Sequence, residues 1–165
     1  FPILLITLFL LSSSCSTGTD DKLEDGLVPF EVLREIQSMS QNVFQCSFNR
    51  ENIEDSEFSS TANLSRLELV IMSEFDFDRY ISCEDTVSVN FDEEFVIAGM
   101  STSQPTELYI NNQNLEFFND TIYYHVGIVF SDAFIPGGAE YIIKVLSKKY
   151  IEYPVVFDIY DINED

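Results

Sequence analysis

The segment TIYYHVGIVF, residues 121–130, places the strictest limit on the fold, because apolar side chains recur at every second position from Ile122 onward. These positions are Ile122, Tyr124, Val126, Ile128 and Phe130. A two-residue period is typical of a β-strand with one buried face. Directly before it, Asn119 and Asp120 follow the apolar segment at 114–118, and both residue types tolerate left-handed backbone angles. The sequence therefore predicts a hairpin in which strands 114–118 and 121–130 pair.

Further strand-like segments lie on both sides of this hairpin. EFVIAGM and TELYI predict two short strands upstream, and EYIIKVLS restores the alternation downstream, with Tyr141, Ile143 and Val145 on one side. YIEYPVVFDIY predicts a last strand. Because proline has no backbone donor, we expect Pro154 to begin that strand or to place it at a sheet edge.

One helix is predicted, in SEFDFDRYISC. Ser73 is a favoured N-cap, and Glu74 and Asp76 complement the positive end of the helix dipole. The segment VPFEVLREIQSMS, residues 28–40, fits either a strand or a helix. We therefore expect a β-rich α+β fold: a single domain, mainly an antiparallel sheet or sandwich, with one short helix.

The charge balance limits the kind of partner. The chain has 29 acidic and 8 basic residues, for a formal net charge of −21, so it would repel a nucleic-acid backbone. Nucleic-acid binding is thereby excluded. The chain also has 15 phenylalanines, enough for a sizeable core, and it shows neither an internal repeat nor a second core. We assign that core to one domain over residues 27–165.

The N-terminal segment has the character of an export signal. Residues 2–11 contain no charge and one polar side chain, Thr7, and as a helix they would span only about half of a bilayer core. This length suits the apolar region of a secretory signal. Because the chain starts at Phe1 without a preceding basic region, we expect an N-terminally incomplete signal peptide over residues 1–14.

Small residues and a cysteine follow the apolar run, in LFLLSSSC. This junction resembles a bacterial lipoprotein signal, which implies lipid attachment at Cys15 and an outer-membrane lipoprotein facing the periplasm or the cell surface. Cleavage elsewhere in the serine stretch, with Cys15 left as a thiol, is the alternative. Residues 15–26 are polar and acidic, so we expect a flexible tether there, similar to the surface-export tags of Bacteroidetes lipoproteins.

Two cysteines remain within the predicted domain, Cys46 and Cys83. In an oxidising compartment they are a candidate disulfide pair. Two separate buried thiols are the alternative, because the sequence does not give the distance between the two Cα atoms.

Several segments, taken in order, resemble the PrcB-like family, named for a lipoprotein that supports a surface protease complex. They are VPFEVLREIQS, LELVIMSEFDFDRYIS, VNFDEEFVIAGM, QPTELYI, TIYYHVGIVF and YIEYPVVFDI. The resemblance spans about residues 28–160 and favours a strand at 28–36. It implies a β-rich domain that binds or stabilises a protein partner, such as a protease, with no catalytic residues and no cofactor.

The resemblance also suggests a partner-binding loop at Pro105, Thr106 and Tyr109. Family members carry Gly-Gly-Tyr after the Pro-Thr pair, whereas this chain has Glu107 and Leu108 before its tyrosine. Loss of the two glycines removes a backbone that a partner can approach closely.

Two other classes of function are compatible with the composition. His125, the only histidine, or a pair of carboxylates would serve a secreted hydrolase, although no Gly-x-Ser-x-Gly motif is present. Acidic clusters at 74–78 and 92–94 suggest a calcium-dependent adhesive module, although neither has the ligand spacing of an EF-hand. We therefore expect no metal site and favour protein binding over catalysis.

Overall fold

The computed structural model describes residues 23–35, 43–61, 64–103, 107–131 and 137–162. These residues form twelve β-strands and one α-helix. The strands are β1 (Gly26–Leu27), β2 (Phe30–Glu35), β3 (Val43–Phe44), β4 (Cys46–Phe48), β5 (Ser59–Thr61), β6 (Leu64–Ile71), β7 (Ile81–Cys83), β8 (Phe95–Ser103), β9 (Glu107–Phe118), β10 (Thr121–Ser131), β11 (Gly137–Val145) and β12 (Val155–Asp161). The helix is α1 (Glu74–Tyr80), and three 3₁₀ turns lie at Arg50–Asn52, Asp55–Glu57 and Lys148–Tyr150.

The strands form three sheets. A four-stranded sheet has the order β1-β9-β10-β12, a six-stranded sheet has the order β3-β2-β11-β8-β6-β5, and β4 pairs with β7. Among the described pairings, only β10 and β12 are parallel; the others are antiparallel. The prediction of a β-rich, mainly antiparallel fold with one short helix is confirmed.

The main core lies between the four-stranded and six-stranded sheets. Side chains from β8, β9, β10 and β11 interdigitate there, including Phe95, Leu115 and Ile143. At its centre the Tyr124 and Tyr141 rings meet edge to face, with centroids 5.1 Å apart. The two sheets thus pack as a sandwich around the hydrophobic layer that the alternation in β10 predicts.

A second apolar layer covers the opposite face of the six-stranded sheet. It contains Leu33, Leu67 and Ile142 from that sheet, packed against Phe48 and Ile81 from the β4–β7 pair. The central strands β8 and β11 therefore bury side chains on both faces. This corrects the expectation of one core, because a strand between two apolar layers loses the simple alternation that marks a half-buried strand.

A buried charge links these layers. Glu140 on β11 is 3% exposed and accepts hydrogen bonds from Arg34 and Arg50. Arg34 also donates to the Cys46 carbonyl, at 3.1 Å. The paired carboxylate thus connects the six-stranded sheet to the layer above it without leaving a buried charge uncompensated.

The β9–β10 hairpin turns where the sequence predicts. Asn119 and Asp120 have φ angles of 51° and 57°, the two left-handed residues of a tight hairpin turn. The Asp25 carboxylate accepts from the Asn119 backbone N–H at 3.2 Å, which fastens the turn to the segment before β1. The predicted pairing of 114–118 with 121–130 is confirmed.

Helix α1 also begins as predicted. The Ser73 hydroxyl accepts from the Asp76 backbone N–H at 3.2 Å, so Ser73 is the N-cap. The helix is seven residues long and packs Phe77 and Tyr80 against the second apolar layer. A helix this short depends on such packing, because its own hydrogen bonds are too few to stabilise it.

The position of the last strand agrees with the constraint from Pro154. β12 starts at the next residue and lies at the edge of the four-stranded sheet. The Pro154 carbonyl still accepts from the Ile122 N–H at 2.9 Å, so the proline contributes an acceptor to a ladder in which it has no donor.

Three expectations are corrected. The two strands expected at TELYI and 114–118 are one continuous strand, β9. The polar segment between them, 111–113, continues the pairing with β10, with a bulge opposite Gly127–Ile128. Phe130 is 39% exposed whereas Val129 is buried, so the expected alternation does not extend to Phe130. The expected tether ends too late, because Leu23 packs on the main core and Gly26 pairs with Phe117. Leu23 and Gly26 therefore belong to the folded domain.

The segment that fits both a strand and a helix is a strand over Phe30–Glu35, and residues 36–40 lie outside the described part. Cys46 and Cys83 face each other across β4 and β7 and form a disulfide, with their Cα atoms 4.0 Å apart. The structure therefore has the disulfide rather than two separate buried thiols.

Candidate binding face

The four-stranded sheet has one face against the core and one face turned outward. We call the outward side chains of β9, β10 and β12 the outer face: Asn114, Glu116, Phe118, Tyr123, His125, Val156, Asp158 and Tyr160. Three of them are large apolar side chains that remain substantially exposed: Phe118 at 47%, Val156 at 42% and Tyr160 at 39%. The outer face thus combines exposed apolar area with charged groups, as protein-binding surfaces do.

Strand register sets the neighbours on this face. Tyr123 lies between Glu116 on β9 and Val156 on β12, whereas His125 lies opposite Asp158. One row along, the Tyr160 hydroxyl donates to the Asn112 side chain at 2.9 Å, across Gly127. Because Gly127 gives β10 no side chain at that position, Tyr160 on β12 can reach across β10 to Asn112 on β9.

His125 is held between two carboxylates. Its Nδ1 lies 2.7 Å from Asp158 Oδ2, and its Nε2 lies 3.8 Å from Glu116 Oε2. Because a carboxylate can only accept, we assign a proton to Nδ1; Nε2 is then an acceptor in the neutral ring and a second donor in the protonated ring. The Tyr123 ring stacks beside the imidazole, with centroids 6.1 Å apart and an angle of 14° between the planes.

A shallow hollow of about 320 Å³ opens beside this histidine. Glu116, Phe118, Tyr123 and His125 line it. Two of these residues contribute aromatic rings, and the other two contribute a carboxylate and an imidazole. Such a hollow fits one side chain of a partner better than a whole small molecule, because drug-sized ligands are held in deeper clefts.

The geometry bears on the hydrolase alternative. Asp158 orients His125 as the third member of a catalytic triad would, but the residues that line the hollow include neither serine nor cysteine. Glu116 and Asp158 lie beside opposite nitrogens of one imidazole, so that ring fills the space between these two carboxylates. Neither a hydroxyl nucleophile nor an open carboxylate pair is assembled around His125 within the described residues.

The acidic clusters at 74–78 and 92–94 do not form a metal site in the described structure either. Within the described ranges, no three metal-ligating side chains converge on one point. The Asp76 carboxylate accepts from Ser73, and the Glu94 carboxylate accepts from the Asn90 backbone and lies 3.9 Å from the Lys144 ammonium. These acids thus have local partners within their own turns or neighbouring strands.

The other predicted site residues are placed as follows. Cys15, Pro105 and Thr106 lie outside the described residues. Tyr109 lies within β9 opposite Val129, so it belongs to a strand and not to the predicted loop. The loop prediction placed it wrongly because β9 begins at Glu107, immediately after the Pro-Thr pair.

Sequence reasoning singled out His125 but missed Asp158, Glu116 and Phe118 as its neighbours. Asp158 lies 33 positions away along the chain and reaches His125 through the parallel pairing of β10 and β12. The Glu116 pairing followed in principle from the predicted hairpin, since the turn at Asn119–Asp120 fixes which β9 residues lie opposite Tyr123 and His125.

No family model, curated protein or solved structure shows a significant match to the chain. Within the described residues, the helical segments fall short of the length and apolar character that a bilayer crossing demands.

Proposed function

We propose that this chain is an exported binding protein that acts through protein–protein contact, with the outer face as its docking surface. The observation that carries the proposal is the set of exposed apolar side chains on that face, Phe118, Val156 and Tyr160, on a sheet whose other side packs against the main core. A rigid sheet presents these side chains in fixed positions, which lowers the entropy lost on binding.

The proposed partner is a protein with a basic contact surface. Glu116 and Asp158 lie among the exposed apolar groups, and the chain as a whole carries a net charge of −21. A negative field of this size speeds association with a positive surface and disfavours acidic partners. The resemblance to the PrcB-like family suggests a surface or periplasmic protease as the partner.

Export to the cell envelope is part of this proposal. The Cys46–Cys83 disulfide supports it, because disulfides persist mainly in oxidising compartments. Lipid attachment at Cys15 would hold the domain at the outer membrane.

Affinity capture with matched variants tests the docking face. The double variant Phe118→Ser, Val156→Ser of the full chain is compared with the wild type. The control variant is Phe75→Ser, which removes a 78% exposed aromatic side chain from helix α1, on the opposite side of the six-stranded sheet from the outer face. We expect the double variant to lose a protein that the wild type and Phe75→Ser both capture from intact membranes. Equal capture by all three proteins would rule out the outer face as the docking surface.

Metabolic labelling tests the anchor. We expect radiolabelled palmitate to enter the wild-type protein and to be absent from Cys15→Ala. Incorporation that persists in Cys15→Ala would disprove lipidation at this residue, while leaving the docking face untouched.

A further inference from the structure

The hollow on the outer face brings an imidazole and a carboxylate together. His125 Nδ1 lies 2.7 Å from Asp158 Oδ2, and Nε2 lies 3.8 Å from Glu116 Oε2; in the neutral ring with its proton on Nδ1, Nε2 is an acceptor. Neither atom can donate to the other in this state. In this state the hollow has two acceptors that a single cationic donor could bind together.

The walls of the hollow suit the rest of such a donor. Phe118 is 47% exposed, and Tyr123 presents its ring beside the imidazole. Aromatic faces attract cations by up to about 1 kcal/mol at exposed sites, and they also pack against the methylene groups of a long side chain. A residue with an apolar stem and a positive tip would therefore contact every wall at once.

We propose that this hollow binds a lysine side chain of the partner, with its ammonium between His125 Nε2 and Glu116 and its methylene stem against Phe118 and Tyr123. The proposal rests on the docking function proposed above and names the chemistry that the partner presents. Lysine is favoured over arginine because its compact ammonium points three donors in different directions, whereas the planar guanidinium fork matches the two oxygens of one carboxylate.

Other occupants fit the same atoms less well. An anion would meet Glu116 and the negative field of the whole chain. A metal ion would find two ligands, His125 and Glu116, and no group of three ligands occurs in the part of the chain that the structure describes. An uncharged apolar side chain would contact the rings but leave both acceptors without a donor.

Short peptides test the proposal on the intact folded protein by NMR. The probes are blocked tripeptides with a central lysine, acetyl-lysine, norleucine or arginine, each followed through the ring signals of His125 and Tyr123. We expect the lysine peptide to shift these signals with a Kd on the order of 1–10 mM, and the acetyl-lysine and norleucine peptides to bind at least about fivefold more weakly.

Matched variants assign the effect to the carboxylate. Glu116→Gln removes the charge at the hollow with little change in shape, and Glu51→Gln removes an exposed charge in the layer on the opposite side of the six-stranded sheet. We expect Glu116→Gln to weaken the lysine peptide by about fivefold and Glu51→Gln to leave its affinity unchanged.

Several outcomes would overturn the proposal. Equal binding of norleucine and lysine would show an apolar hollow without cation selectivity, and tighter binding of arginine would replace lysine as the ligand. Unchanged affinity in Glu116→Gln, or no shift with any peptide, would remove the site. If capture of a partner were lost in the Phe118→Ser, Val156→Ser protein but kept in Glu116→Gln, the docking face would stand and the lysine site would fall.

Discussion

Two buried tyrosines at the centre of the sandwich differ in what their hydroxyl groups contact. The Tyr124 hydroxyl donates to Gln113 Oε1, whereas the Tyr141 hydroxyl has no hydrogen-bond partner within the described residues. Tyr141 lies directly over Gly99 on the neighbouring strand, and a Cβ at that position would overlap the tyrosine ring. Packing over Gly99 explains the position of the Tyr141 ring, but it does not explain why the buried hydroxyl has no hydrogen-bond partner in the described structure.

The contrast predicts opposite effects for the same substitution. Tyr124→Phe removes a buried hydrogen bond and leaves Gln113 Oε1 without its donor, so we expect unfolding free energy to fall by about 1 kcal/mol or more. Tyr141→Phe removes an unpartnered buried hydroxyl, and we expect stability to stay level or to rise by up to about 1 kcal/mol. Urea denaturation of both variants measures the difference; an equal loss in both would show that the Tyr141 hydroxyl has a partner.

Alkaline stability is the second residue-scale prediction. Burial raises the pKa of Tyr124 and of Tyr141 above the usual phenol value. The folded state then keeps protons that the unfolded state releases above about pH 10, so the stabilising contribution is complete below pH 10 and is lost as the pH rises further. We expect unfolding free energy to fall less steeply with pH in Tyr141→Phe, by up to about 1.4 kcal/mol per pH unit.

Urea denaturation at pH 9, 10 and 11 measures how steeply the unfolding free energy falls with pH, in the wild type and in Tyr141→Phe. Parallel slopes would mean that Tyr141 ionises at the same pH in the folded and unfolded chains.

At the scale of elements, the layer above the six-stranded sheet is held by few regular contacts. It consists of the two short strands β4 and β7, a seven-residue helix and 3₁₀ turns. Three kinds of tie fasten it: apolar packing of Phe48 and Ile81, the Glu140 carboxylate with its two arginines, and the disulfide. Of these, the disulfide alone constrains the unfolded chain as well.

Removal of the disulfide should therefore be costly. Cys46 and Cys83 are 37 residues apart, and closure of a loop of that length in the unfolded chain corresponds to about 4 kcal/mol. We expect the double Cys46→Ser, Cys83→Ser variant to lose about 2–4 kcal/mol of unfolding free energy. Urea denaturation with tryptic digestion of the same samples measures the loss.

The digestion pattern adds a local readout. We expect early cleavage at Arg50 and Arg79, which lie in the layer that the disulfide ties, before cleavage at Lys144 in the central strand. Unchanged stability of the double variant would contradict the role of the disulfide. Addition of a reductant to the wild type should reproduce the variant, and it provides the control for the serine substitutions.

At the scale of the whole molecule, the charge of −21 opposes compaction. Salt shortens the Debye length from about 30 Å at 0.01 M to about 3 Å at 1 M, so it should relieve this repulsion. We expect the Tm to rise by several degrees as sodium chloride is increased over this range. A Tm that falls or stays constant would show that self-repulsion does not limit stability.

The same experiment separates screening from calcium binding. Calcium chloride and magnesium chloride at matched ionic strength should shift the Tm equally if they only screen charge. A larger shift with calcium would indicate binding to the folded state, since a ligand that binds only the folded state raises its apparent stability. That result would favour the calcium-dependent adhesive module over the docking protein proposed above.

Local signals in the sequence predicted local structure well. The β9–β10 turn follows from the left-handed tolerance of Asn119 and Asp120, and the start of α1 follows from the short-range bond between Ser73 and Asp76. The start of β12 at the residue after Pro154 agrees with the missing backbone donor of that proline. In each case the physical cause lies within a few residues along the chain, which is why one segment was enough to reveal it.

Local patterns in the chain were therefore enough to predict the alternating strands, their turns and caps, and the strong negative charge. They did not reveal that β8 and β11 are buried on both faces, or that Asp158, 33 positions from His125, lies against its ring, because both depend on how the strands pack. The reason is physical: periodicity reports how one strand meets one layer, whereas strand order and parallel pairing depend on the packing free energy of the whole sandwich. The outer face is a product of that packing, because β10 lies between β9 and β12, which places Glu116 and Asp158 beside opposite nitrogens of His125.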